Sequence, residues 1–304
     1  MPDPGDDSLP FEGAPLFDPE IAAAYSARGT VSPETFARVM DDYRTRSERA
    51  VRDLPGARGV AYDEHSDEVL DVWGIADAPR PVFLVVHGGY WRSLSRLDTA
   101  FMARTLADHG IATVAVDYGL APATSLPEMV RQVRAAVAWV HRDGPAHGLD
   151  RNRIVVCGSS AGAHLAATTM IGGWQADLGL PDRAVHAGLL ISGLYDLRPL
   201  IHAEANEWLF LTEQSAADLS PALAPLPDDP APAVIAMAEH EADGFRRQSR
   251  DFHRHWARGS AGPLLTVPGR NHFDVFVDLA DRDTELSSAV HHLFALTAPT
   301  HTPK

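Results

Sequence analysis

The chain has 304 residues, enough to bury a substantial core in one large domain and short for two full ones. Hydrophobic residues make up 45%, and no apolar run approaches the roughly 18 residues of a spanning helix, which excludes disordered and membrane-spanning classes. With 26 Lys and Arg against 41 Asp and Glu, the formal net charge is −15, which argues against nucleic acid or an anionic membrane as partner. The one cysteine, Cys157, permits no intrachain disulfide and reads as a small buried side chain. Met1–Pro15 has neither the basic nor the apolar segment of a signal peptide, so a reducing, cytoplasmic setting is expected.

Residues 1–15 read as a flexible lead. Helical patterns follow over Pro19–Ala27 and Pro33–Leu54, the second with Ser32 as N-cap, Pro33 at the first helical position and Glu34 in the first turn. Two strands, Ala57–Tyr62 and Glu68–Ile75, come next. From there strand and helix alternate: strand Pro81–Val86 and helix Asp98–His109, strand Ile111–Val116 and helix Pro127–Asp143, strand Arg153–Cys157 and helix Ala161–Ile171. Strand Ala187–Ser192 leads into an insertion, Tyr195–Pro227, expected to form a short cap. Strand Ala233–Met237, helix Gly244–Arg258, strand Pro263–Val267 and helices Phe273–Leu279 and Asp283–Leu296 complete the series, and 298–304 read as a loose tail. Strands apolar on both faces, separated by amphipathic helices, predict a mostly parallel central sheet with helices on both faces, in one α/β domain over 16–297. Ligands of such sheets bind beyond the carboxyl ends of the strands.

That is where the chemistry-bearing residues fall. Strand Arg153–Cys157 runs into Gly158-Ser159-Ser160-Ala161-Gly162 and then a helix, the strand–turn–helix context that G-x-S-x-G requires in an α/β-hydrolase fold. Ser160 is the expected nucleophile, and Ser159 is out of register. After strand Pro81–Val86 comes His87-Gly88-Gly89-Tyr90-Trp91. Its glycines, with the N–H of Ala161 after the nucleophile, are the expected oxyanion donors, Gly88 and Gly89 being unranked. His87 is expected to brace this loop by hydrogen bonding, and Tyr90 and Trp91 are candidate substrate-binding residues, with core packing the alternative. The general base should follow the last strand, which points to His272. His253, His255, His291, His292 and His301 lie on helices or the tail with no converging spacing, so no metal site is expected. The acid should follow strand Ala233–Met237, where Glu239, Glu241 and Asp243 all qualify. Asp243 is a natural helix cap, and its loop position gives Glu241 an edge.

Taken together these stretches resemble the kynurenine formamidase (arylformamidase) family, within the hormone-sensitive-lipase-like esterases. His87-Gly-Gly-Tyr-Trp91 is similar to its H-G-G-x-W signature, Ser192-Gly-Leu-Tyr-Asp-Leu-Arg-Pro199 to the segment after the next strand, and Phe245-Arg-Arg-Gln-Ser249 to its F-x-x-Q-S helix. Asp117-Tyr-Gly-Leu-Ala-Pro122 is similar to the wider group's D-Y-R-L-A-P, with Gly119 in place of Arg. The resemblance spans roughly residues 17–295. It implies that the acid, four residues before Phe245, is Glu241, where the family commonly has Asp. It implies hydrolysis of N-formyl-L-kynurenine to formate and L-kynurenine, a small-molecule substrate handled without metal or organic cofactor. A general carboxylesterase, amidase or carbamate hydrolase could run on the same residues, and a ligand-binding pseudo-hydrolase is the reading from another class. The oligomeric state is not set by the sequence, a homodimer being compatible with it.

Overall fold

The structure, a computed structural model, describes residues 18–256 and 261–298. The predicted lead 1–15 and the tail beyond Ala298 lie outside the described residues. The strands are β1 (Gly56–Ala61), β2 (Val69–Trp73), β3 (Arg80–Val86), β4 (Ala112–Val116), β5 (Leu149–Ser159), β6 (Ala187–Ile191), β7 (Ala233–His240) and β8 (Ala261–Asn271). They form one sheet in the order β1-β2-β4-β3-β5-β6-β7-β8. β2 is antiparallel to β1 and β4, and every other pairing is parallel. The helices are α1 (Pro19–Ala24), α2 (Pro33–Val51), α3 (Ala103–Asp108), α4 (Leu126–Arg142), α5 (Ala161–Met170), α6 (Asn206–Leu209), α7 (Glu213–Asp218), α8 (Asp243–Trp256) and α9 (Glu285–Leu296).

The two-residue side-chain period of a strand sends alternate residues to opposite faces, and here both faces are apolar. Val82, Leu84 and Val86 of β3 join Ile154 and Val156 of β5 in one core with Met129 and Val133 of α4, Leu165 of α5 and Phe245, Phe252 and Trp256 of α8. Phe83 and Val85, with Val155 and Cys157, join the other core with Tyr43 of α2, Leu106 of α3 and Leu293 of α9. This alternation is the physical content of the helix-on-both-faces expectation. Among the described residues no helix is long and apolar enough to cross a membrane.

Several boundaries differ from expectation. The predicted helix Asp98–His109 is broken into a 3-10 turn at Arg96–Asp98 and the shorter α3, because the Ala100 N–H turns out to the Ser47 hydroxyl on α2 (3.1 Å). Phe273–Leu279 forms a 3-10 helix, Val275–Ala280, rather than an α-helix. β8 runs to Asn271 and carries Pro263 and Pro268 within it, which an edge strand tolerates because one side of it has no ladder to break. β7 extends three residues past Met237, to His240, and this placement decides which carboxylate comes next in the loop. Residues 195–227 hold a 3-10 turn at Arg198–His202 and the short helices α6 and α7.

Candidate active site

Five strand ends deliver the site. β3 ends into His87-Gly88-Gly89, β5 into Ser160, β6 into Ser192, β7 into Glu241 and β8 into His272. Ser160 caps α5 with φ +57° and ψ −121°, a strained conformation for a residue with a Cβ, which lifts its side chain clear of both strand and helix. The flanking glycines are required by contact. A Cβ on Gly158 would sit 2.2 Å from the Gly162 carbonyl oxygen, and one on Gly162 would sit 2.2 Å from that of Val86. The turn is thus held against β3, and Ser160 against the loop that follows it.

That loop is fixed by Tyr118. Its phenol donates to the carbonyl oxygens of His87 (2.9 Å) and Gly88 (3.3 Å), and its ring stacks on the His87 imidazole at 4.1 Å. His87 lies 2.9 Å through Nδ1 from the Gly88 carbonyl. Burial lowers the His87 pKa, keeping the ring neutral, so Nδ1 carries the proton and donates. His87 therefore braces the loop. In a trans peptide the N–H points opposite the C=O, so tying these two carbonyls to Tyr118 turns the N–H groups of Gly88 and Gly89 the other way. Gly89 has φ +98° and its missing Cβ would lie 2.2 Å from the Ser93 carbonyl oxygen. Ala161 is the first residue of α5, where a backbone N–H has no helical acceptor.

His272 is buried, with its ring packed on Phe245 (4.3 Å) and Phe273 (5.3 Å), and its Nδ1 lies 3.5 Å from Glu241 Oε1. The Glu241 carboxylate is wholly buried. The same oxygen accepts from the Ala238 N–H (3.1 Å) and from the Ser192 hydroxyl. The other two candidate acids point elsewhere. Glu239 is on β7, half-exposed, and accepts the Gly269 N–H (2.7 Å), while Asp243 is exposed in the first turn of α8. Ser160 and His272 line one cavity of about 290 Å³ without being hydrogen-bonded to each other, as is common before substrate tightens such contacts.

The BD-FAE family model matches residues 72–181. The chain is 35% identical over 237 residues, 75% of its length, to the kynurenine formamidase of Salmo salar, covering 78% of that protein. The chain belongs to the kynurenine formamidase family. It is also 35% identical over 148 residues, 46% of its length, to Esterase LipC of Mycobacterium tuberculosis, of which it covers 37%. The crystal structure of the thermophilic carboxylesterase EstE1, from a metagenomic library, superposes with a TM-score of 0.72 at 23% identity, over 88% of this chain and 99% of that one. The α/β-hydrolase fold is thereby shown.

The cavity in this member of the kynurenine formamidase family has walls the sequence did not point to. Tyr25, Arg28, Phe36 and Tyr43 come from the N-terminal segments, whereas Glu204 and Trp208 come from the insertion, the one of these segments the sequence singles out. Tyr90 lines the cavity, its hydroxyl donating to the Tyr25 carbonyl and its ring standing edge-on to Trp208. Trp91 corrects the expectation of a substrate-binding role. It is 0% exposed and packs in the core edge-on to His164 (5.3 Å) and to the Tyr90 ring (5.9 Å). Ser192, on the Glu241 carboxylate, was also missed. Its signals were its place at a strand end, which many serines share, and its position at the head of the family-like segment Ser192–Pro199, neither of which states a role. Gly119, in place of the wider group's Arg, has a local reason: a Cβ there would lie 2.2 Å from Thr124 Oγ1. The carboxylate that precedes it, on Asp117, pairs with Arg96.

Proposed function

We propose that the protein hydrolyses N-formyl-L-kynurenine to formate and L-kynurenine, with Ser160 as nucleophile, His272 as general base and Glu241 as its acid partner. The observation that carries the reading is the kinship with a kynurenine formamidase over three-quarters of the chain, in a molecule whose cavity is lined by both Ser160 and His272. Ser160 Oγ attacks the formyl carbon as His272 Nε2 takes its proton. The carbonyl oxygen, now negative, is held by N–H groups of Gly88 or Gly89 and of Ala161. As the tetrahedral species collapses, the C–N bond breaks and His272 returns the proton to the departing arylamine. Water, deprotonated by His272, then attacks the formyl ester on Ser160. The C–O bond breaks, formate leaves and Ser160 recovers its proton. Glu241 holds the imidazole with Nδ1 protonated and stabilises the imidazolium in both halves. Residues 195–227 serve as a cap in this reading, since Glu204 and Trp208 border the cavity. The partner is a small molecule, and the domain spans 16–297.

The partial kinship with Esterase LipC favours a second reading, hydrolysis of small acyl or aryl esters by the same residues. Parallel kcat/KM measurements on N-formyl-L-kynurenine and p-nitrophenyl acetate separate the two. A formamide preference of about a hundredfold or more, roughly 3 kcal/mol of transition-state discrimination, supports the formamidase. Good ester turnover with little formamide turnover transfers the site to the esterase reading.

A further inference from the structure

The substrate proposed above has a second end. Beyond the aryl ketone it carries an α-amino acid, and the triad does nothing with that zwitterion. At the mouth of the cavity that holds Ser160 stand three exposed charged side chains: Arg92 on the loop after β3, Arg28 between α1 and α2, and Glu204 in the insertion. Arg92 lies with its guanidinium 3.7 Å over the Trp208 ring. The Trp208 indole is itself pinned by donating from Nε1 to the Tyr90 carbonyl (2.9 Å). Among the described residues Arg92 has no carboxylate partner, whereas Arg44, Arg96, Arg131 and Arg198 all do. An arginine held over an aromatic face, with no carboxylate partner, keeps a planar fork ready for a carboxylate at little entropic cost. Arg28 is held the same way, 4.3 Å over Phe36, with one N–H on the Val31 carbonyl. Two cations at the mouth of one pocket stand out on a chain of net charge −15, whose general field repels anions.

We infer that this rim is the amino-acid head-group site: Arg92, on its Trp208 platform, receives the substrate's α-carboxylate, and Glu204 receives the α-ammonium, with Arg28 adding a second positive charge across the mouth. The assignment rests on the formamidase reading for its choice of an amino acid. It makes specificity a property of the insertion and the loop after β3 together, since Trp208 belongs to one and Arg92 to the other.

The test separates this site from the chemistry. In a Ser160→Ala background, binding of L-kynurenine is compared with ortho-aminoacetophenone, which has the same ring and ketone without the head group. The expected result is tighter binding of L-kynurenine, with the difference falling about tenfold to a hundredfold on Arg92→Gln, the range of one charge-assisted hydrogen-bonded contact, and partly restored by Arg92→Lys. Equal binding of the two ligands, or a difference that Arg92→Gln leaves intact, overturns the site. Turnover of N-formyl-L-kynurenine by the unaltered enzyme reads out the parent proposal. Turnover without Arg92-dependent binding refutes only the rim, and Arg92-dependent binding without turnover refutes only the formamidase.

Discussion

Glu241→Gln removes a charge while keeping nearly the same shape, so it probes what the buried carboxylate does for His272. Glu241 Oε1 lies 3.5 Å from His272 Nδ1, and the carboxylate is wholly buried. At that separation, with an effective dielectric constant of about 20, a carboxylate stabilises an imidazolium by about 5 kcal/mol. Each 1.36 kcal/mol is a decade, so losing that attraction slows kcat by about three orders of magnitude. The donors to Oε1, the Ser192 hydroxyl and the Ala238 N–H, still find an amide oxygen, so the fold survives. The assay is kcat on N-formyl-L-kynurenine with the thermal midpoint measured in parallel, beside Glu239→Gln and Asp243→Asn as controls. Each control should change kcat by less than about threefold, because Glu239 is engaged with the Gly269 N–H and Asp243 is exposed on α8. A Glu241→Gln enzyme retaining a tenth or more of its activity, or an Asp243→Asn enzyme equally impaired, refutes the assignment of the acid.

Gly162→Ala should be costly for steric reasons alone. The new methyl would meet the Val86 and His87 carbonyl oxygens at 2.2 and 2.5 Å, which are backbone atoms that cannot step aside singly. A loss of about 2 kcal/mol or more in urea unfolding is expected, and a neutral substitution would contradict the packing argument. Stability should also fall with pH below neutrality. Burial lowers the His164 pKa to about 4 from an ordinary 6.5, so between those values the unfolded chain binds a proton that the folded chain refuses. The depressed folded value means stability is intact above 6.5 and declines toward 4, by about 3 kcal/mol from this residue. Unfolding free energies at pH 7 and pH 4.5 should differ less in His164→Gln, and an unchanged pH slope would remove His164 from the account.

What could be read from the residues follows from how local each constraint is. Gly158 and Gly162 are set by contacts within a few residues of the turn and with its neighbouring strand, so the pentapeptide carries its own explanation and Ser160 is legible. His272 is legible because it lies in the stretch expected after the last strand, and in the structure it directly follows β8. The acid is less legible, since three carboxylates occur within five residues and loop position gives Glu241 only an edge. Only the true end of β7, at His240 rather than Met237, leaves Glu239 on the strand and Glu241 first in the loop. Trp91 misleads because nothing in His-Gly-Gly-Tyr-Trp says which of two adjacent aromatic rings meets the cavity and which the core takes up. The walls from Tyr25, Phe36 and Trp208 depend on packing between segments well over a hundred residues apart, and their local patterns read only as helix or loop.

The most direct test is the steady-state release of L-kynurenine and formate from N-formyl-L-kynurenine by the unaltered enzyme and by Ser160→Ala. The account predicts equimolar release of both products by the former and a loss of at least about a thousandfold in kcat/KM for the latter, with the variant still folded. No release by the folded unaltered enzyme, or turnover that survives Ser160→Ala, would contradict it.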